Sequence, residues 1–324
     1  MRRREFIGLL GSTVIAWPGC SSADWSGRVW RVGILDSGPG DQTTRELEKS
    51  LADLGYAQDK NIVLVKRATE PGLQGVENAI LSIIPNIDLL IVGGTVGGVA
   101  AKKLVATKPV VFIAVGAPVE IGLVESLSRP GGNMTGITFE AATETYAKRL
   151  QILKEIVPKV NRVAVLQTQG DANVKFAMAS LEGAAPNLGI QLSPIPISSS
   201  SDIAAAFDEM RQGQSEALIV IAGLLTLRNG QQIADLALAH HLPSCHAFRE
   251  TVAMGGLVSL GPDLMALWRQ AAGFIDQIIR GSQPRELPVQ QPTRYELAVN
   301  LKTAKALDLT LPPSLLARAD VVIE

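Results

Sequence analysis

Cysteine is almost missing from this chain: 324 residues carry two, Cys20 and Cys245. That excludes an internal disulfide framework, so a hydrophobic core must hold the fold. Net charge is equally scarce. Thirty basic and 31 acidic side chains leave −1, which gives no electrostatic reason to expect nucleic acid or an anionic lipid surface as partner. Beyond Arg31 no apolar run approaches the roughly 20 residues of a membrane span. Only three histidines occur. Together with Cys245 they form the one dense set of metal-ligand types, yet His240 and His241 are adjacent and point apart, and no metal-site spacing is present. No metal and no cofactor is expected.

Several signatures of chemistry also fail. No G-x-S-x-G nucleophile elbow occurs, and Cys245 lies inside an expected strand, where a thiol is buried and inert. Ser37-Gly38-Pro39-Gly40 follows the first apolar run, but Thr43 stands at the third glycine position of a dinucleotide fingerprint. Lys66 and Arg67 stand where its acidic residue belongs. The glycines from Gly93 to Gly98 match neither that fingerprint nor a P-loop; they read as a tight strand-to-helix turn or as a loop that cups a carboxylate on backbone N–H groups.

What is present is 47% apolar and 19% charged sequence, the balance of a globular protein, in a length that favours two domains. Short apolar runs alternate with segments of helical period. Strands are expected at 32–35, 62–65, 87–92 and 110–114, and helices at 44–54, 73–84 and 97–106. The strands are apolar on both faces, as in a parallel sheet covered by helices. Past residue 137 the plan repeats. Strings around Arg31, Asp88 and Pro109 recur around Arg162, Glu216 and Pro243 at offsets of 131, 128 and 134 residues, which suggests two similar lobes. Further helices fit 142–157, 202–211, 230–240 and 263–280, and the Pro-rich tail from 284, with a strand near 295–299, has the make-up of a hinge segment crossing between lobes. The lobes are therefore expected at 29–137 with about 257–285, and at 138–256 with about 286–324.

The first residues differ in kind. Arg2, Arg3 and Arg4 precede a short apolar stretch and then Gly19-Cys20-Ser21-Ser22-Ala23, the layout of an export signal over 1–23, by either the general secretory or the twin-arginine route. Two processings are open: cleavage after Ala23, or lipid attachment at Cys20.

Residues 109–136 (PVVFIAVGAPVEIGLVESLSRPGGNMTG), 51–62 (LADLGYAQDKNI), 248–264 (FRETVAMGGLVSLGPDL) and the tail 287–324 resemble, in matching order, the ABC-transporter substrate-binding family that includes tryptophan- and tyrosine-binding members. The resemblance implies a type I periplasmic-binding fold: two Rossmann-like α/β lobes with parallel sheets, joined by a hinge, that close on a small organic solute and hand it to a membrane ABC permease. A periplasmic, monomeric binding protein without catalysis follows from it. In open α/β sheets ligands lie at the carboxyl ends of strands. The candidate site is therefore Ser37, Gly38, Gly94, Thr95, Gly116 and Ala117 from one lobe and Gln167, Thr168, Ala222, Gly223, His246 and Phe248 from the other. The family usually carries Asp at Ala117 and near Gly223, an aromatic–Asn pair near Gln167-Thr168, and Tyr at Leu260. Without those carboxylates a buried ammonium has no partner, so a neutral or anionic solute is expected. Two rivals stay open, a ligand sensor docked on a membrane receptor and an enzyme using His246 as its only conventional base.

Overall fold

The computed structural model describes residues 28–36, 42–70, 72–140 and 144–324. The expected export signal, Cys20, Ser37 and Gly38 lie outside them. In the first half, β1 (Trp30–Asp36), α1 (Gln42–Asp53), β2 (Ile62–Ala68), α2 (Gly72–Ile83), β3 (Leu89–Gly93), α3 (Gly94–Leu104), β4 (Val110–Val115) and β5 (Met134–Thr138) alternate. The strands form a parallel sheet in the order β2-β1-β3-β4-β5. The second half continues with α4 (Thr145–Ile156), β6 (Arg162–Thr168), α5 (Asn173–Leu188), β7 (Gln191–Ile197), α6 (Asp202–Gln212), β8 (Ala217–Val220), α7 (Leu224–Arg228), α8 (Gly230–Ala239), β9 (Ser244–His246), α9 (Arg249–Ala253) and β10 (Val258–Gly261). The chain closes with α10 (Leu264–Ile279), β11 (Glu296–Asn300), α11 (Leu301–Ala306), α12 (Pro313–Arg318) and β12 (Val321–Ile323).

The second sheet runs β12-β11-β10-β9-β8-β6-β7, so its strands β7-β6-β8-β9-β10 repeat the order of the first. The repetition reaches single hydrogen bonds. Asp88 accepts from the Arg31 amide while Arg31 Nε donates to the Asn86 carbonyl; Glu216 accepts from the Arg162 amide while Arg162 Nε donates to the Gln214 carbonyl. Both devices tie the start of a central strand to the turn before its neighbour. The molecule is thus two lobes of one plan, each built on five parallel strands with apolar clusters on both faces; in the second sheet β11 adds antiparallel to β10.

Three segments cross between the lobes: one after β5, one between β10 and α10, and one after residue 286. The last runs beside β5, with Val289, Gln290 and Thr138 amides exchanging backbone bonds with Leu127, Gly136 and Gln290. β10 lies within the stretch 257–285 expected in the first lobe, but it pairs with β9 and β11 in the second sheet; α10 alone returns to cover the first.

A buried ion pair links two crossings. Arg149 of α4, fully buried, donates from Nε to the Leu260 carbonyl at 2.8 Å and from its guanidinium to Glu140 at 3.0 Å, stacked over the Tyr146 ring at 4.4 Å. Burial pushes the Glu140 carboxyl up to about 7 in spite of Arg149.

Candidate functional site

The strand ends of both sheets face one another, and α3 explains why they come close. The sequence suggested a glycine loop before a helix starting at 97, whereas the helix begins at Gly94, directly after β3. Gly97 and Gly98 press its first turns onto the sheet: a Cβ on Gly98 would stand 2.7 Å from Leu123, and one on Gly97 3.2 Å from Val92. Backbone N–H groups of that first turn, which have no partner within the helix, therefore open on the cleft. Thr95 fixes the next loop, its Oγ1 accepting the Gly116 amide at 3.2 Å. The end of β4 carries a register shift, and Ala114 sits there at φ +55°. An alanine in that region is held only by its surroundings, a pattern frequent at ligand sites.

Between the lobes lies a cavity of about 60 Å³. The first lobe contributes Gly93, Gly94, Thr95, Ile113, Ala114 and Thr43, and the second Ala222, Gly223, Leu224, Leu227 and Phe248. Phe139 from the first crossing and Leu264 and Trp268 from α10 complete it. Phe139 and Phe248 meet edge to face with centroids 5.8 Å apart, joining the lobes. The Trp268 ring reaches the end of β3 because position 93 is glycine; a Cβ there would lie 3.1 Å from it. The wall is mostly apolar with a few backbone and hydroxyl groups, the make-up of a small-molecule site. Its volume is below the roughly 150 Å³ of an apolar cavity that takes up benzene. A guest with a ring therefore enters only when the lobes part.

A second space, about 380 Å³, opens at the mouth of the cleft between α2 and α3 on one side and the ends of β6 and β7 with α7 on the other. Across this mouth Arg228 of α7 donates to the Thr69 carbonyl at 3.2 Å and to its Oγ1 at 2.6 Å. On the hinge side the lobes touch at Gly116, where an added Cβ would lie 2.3 Å from Asn173 Oδ1. Asn173 is held by Tyr146, whose hydroxyl accepts from Asn173 Nδ2 and from the Ala222 amide, both at 3.2 Å.

Of the residues expected from strand ends, Gly94, Thr95, Ala222, Gly223 and Phe248 line the inter-lobe cavity, and Thr168 lines the mouth. Gln167 is half-buried at the end of β6. Gly116 forms the contact with Asn173, and Ala117, at φ +45°, faces a separate space of about 250 Å³ with Glu120, Glu140 and Glu144. His246 stands behind the inter-lobe cavity. Its Nε2 lies 3.0 Å from Ser244 Oγ, and burial lowers its pKa to about 4, so the ring is neutral at pH 7. Trp268, Leu264, Leu224, Leu227 and Phe139 were not singled out from the sequence. Their apolar character was visible, but only packing shows that they face the cleft and not a lobe interior.

One buried carboxylate stands next to the cleft. Asp171, 5% exposed, accepts the Asn173 amide at 2.9 Å with Oδ1, while Oδ2 would be 3.3 Å from a Cβ on Gly223. Burial raises its pKa to about 6.

Residues 32–323 match the family model described as ABC transporter substrate binding protein. A tyrosine-binding protein of Clostridioides difficile is 26% identical over 272 residues, covering 83% of this chain and 77% of that protein. Among solved structures, an ABC domain in complex with L-Trp from Streptococcus pneumonia superposes with a TM-score of 0.83 at 22% identity, covering 91% of this chain and all of that one. The ligand-free, open structure of a substrate binding protein with adhesive properties from Clostridium difficile gives 0.62, also at 22% identity, over 91% of this chain and 99% of that one.

Proposed function

This chain belongs to the ABC transporter substrate binding protein family, and from that membership we propose that it captures a small organic solute between its lobes and presents it to an ABC permease, without chemical turnover. The observation that carries the reading is the mostly apolar cavity built jointly by both lobes. A guest that touches both walls makes contacts in the closed state that the open state lacks, so it shifts the population toward closure.

The ligand-contacting set we propose keeps Gly94, Thr95, Gly223 and Phe248 and adds Trp268, Leu227 and Phe139 for the apolar body of the solute. Relatives named for tyrosine or solved with L-Trp support a ring in this position. Among the described residues no carboxylate lines the inter-lobe cavity or the mouth, which favours a neutral or anionic solute over a cationic one. We place the lobe boundaries at the three crossings, near 139–144, 262–263 and 287–295. Export by the segment 1–23, with Cys20 as an anchor or removed by cleavage, a periplasmic location and a monomeric state complete the proposal. No helix among the described residues is long and apolar enough to cross a membrane.

A thermal-shift screen of amino acids, aromatic acids, sugars and small amides tests the binding role. A solute held only by the folded protein adds RT ln(1 + [L]/Kd) of stability and so raises the melting temperature. At least one class is expected to raise it and to be recovered unchanged after incubation. Consumption of that solute by the protein would replace the binding role with an enzymatic one.

A further inference from the structure

We propose that the space beside Ala117 is a second binding site, separate from the inter-lobe cavity, and that it takes a small primary amine in its ammonium form. The proposal does not depend on which solute the cavity holds.

This space of about 250 Å³ shares no lining residue with the inter-lobe cavity. Its walls come from the loop after β4, from the first turns of α5 and from the first and third crossings, so an occupant touches both lobes. The volume exceeds the roughly 150 Å³ that takes up benzene. An organic guest therefore fits.

Three observations point to the class of guest. First, Glu120, Glu140 and Glu144 line the space, and among the described residues no Lys, Arg or His does. Arg149 balances Glu140 from behind, while Glu120 and Glu144 have no ion-pair partner among the described residues. Three carboxylates against one guanidinium leave a field that draws in a cation.

Second, the walls hold acceptors without donors. Asn173, 1% exposed, donates from Nδ2 to the Tyr146 hydroxyl at 3.2 Å and to the Ala222 carbonyl at 3.4 Å, and its Oδ1 receives nothing. Glu140, with 7% of its side chain exposed, accepts from Arg149 through Oε1 and leaves Oε2 over. An unmatched acceptor at such depth is costly. A primary ammonium brings three N–H donors and no acceptor, and its bonds to a carboxylate are charge-assisted.

Third, Pro118, Val119, Leu127 and Phe176 supply an apolar wall for a short carbon chain. A metal ion does not suit the same carboxylates: among the described residues no three His, Cys, Asp or Glu side chains are grouped so as to hold one. The carboxylates also distinguish between sources of an ammonium group. A free amine carries only the charge that they match, whereas an amino acid brings its own carboxylate among them and is repelled.

The test is calorimetric titration of the full chain with n-butylammonium, beside 1-butanol, butyltrimethylammonium and norvaline. Burial pushes Glu140 up to about 7, so pH 8 keeps it charged while an alkylamine stays protonated. One n-butylammonium is expected to bind per chain. The alcohol lacks its charge, the quaternary ion its N–H donors, and norvaline is the same chain with a carboxylate added; each is expected to bind this site at least tenfold more weakly. Glu140→Gln lowers butylammonium affinity about tenfold or more. Should Glu140→Gln not fold, two further variants carry the test. Val119→Trp keeps every carboxylate and fills the space, so it abolishes binding; Glu144→Gln, at an exposed position, weakens binding about threefold. Failure of butylammonium to bind overturns the proposal. So does binding that survives both Glu140→Gln and Val119→Trp, because the amine is then held elsewhere. Equal binding of the quaternary ion, or displacement of butylammonium by norvaline at equal concentration, overturns the assigned class. None of these results bears on the solute-binding role, which the thermal-shift screen tests by itself.

Discussion

Asp171 shows how burial alone gives a residue a measurable signature. Its carboxyl is buried with one amide donor, and burial, the larger effect, raises its pKa from 3.8 to about 6. Between those values the unfolded chain has lost its proton while the folded chain still holds it, so this group's contribution to stability falls as pH rises from about 4 to above 6. Asp171→Asn, neutral at every pH, is expected to flatten that part of the profile by an amount on the order of 2 kcal/mol. Urea midpoints of both proteins at pH 4 and pH 7 check this, and equal pH dependence would refute it. Nothing in the string QTQGDANV marks Asp171 as buried, since solvated loop Asp residues look the same. His246 is the converse case. Its strand was legible from the run before it, and Ser244, two residues back, shares its face of that strand; the position behind the cavity is not legible, because what lies beneath a loop is set by the fold.

At the scale of elements, α10 does the most linking. It starts at the second crossing, covers the first sheet, and places Leu264 and Trp268 on the cavity wall. Asp263 caps it, accepting the Ala266 amide at 3.0 Å, and also meets Arg249 of α9 at 3.2 Å and Arg269 at 3.0 Å. Arg249 in turn reaches Glu296 at the start of β11 at 3.0 Å, so one carboxylate serves both helix start and hinge. Asn at this position keeps the cap and loses the ion pairs. Asp263→Asn is therefore expected to cost less than about 1 kcal/mol, since these pairs are part-exposed, and Asp263→Ala about 1 kcal/mol more. Melting curves of the two variants decide it; identical losses would show that the cap contributes nothing. The helix itself was legible from its apolar period over 263–280. The five-residue helices α7 and α9 were not, being too short for periodicity to register.

For the whole molecule, closure depends on a few contacts that span the gap. One is Gly116 against Asn173, where even a methyl group would have to displace a side-chain amide whose Nδ2 is bound to Tyr146. Gly116→Leu is expected to hold the lobes apart, raising the radius of gyration in solution scattering and weakening solute binding at least tenfold. Each lobe, built on its own core, keeps its melting behaviour. A radius unchanged from wild type would show that this contact does not govern closure. Hydrophobic patterning alone determined the alternating plan, the duplicated lobes and the strand ends as the place for a ligand, because buried parallel strands and amphipathic helices leave their period in the chain. Tertiary structure alone decided which side chains face the cleft, that Arg228 reaches Thr69 across 159 positions, and that β10 stays with the second sheet while α10 returns to the first. Those choices depend on how two separately folded lobes meet, and that meeting involves residues distant in sequence whose local patterns carry no record of their partners.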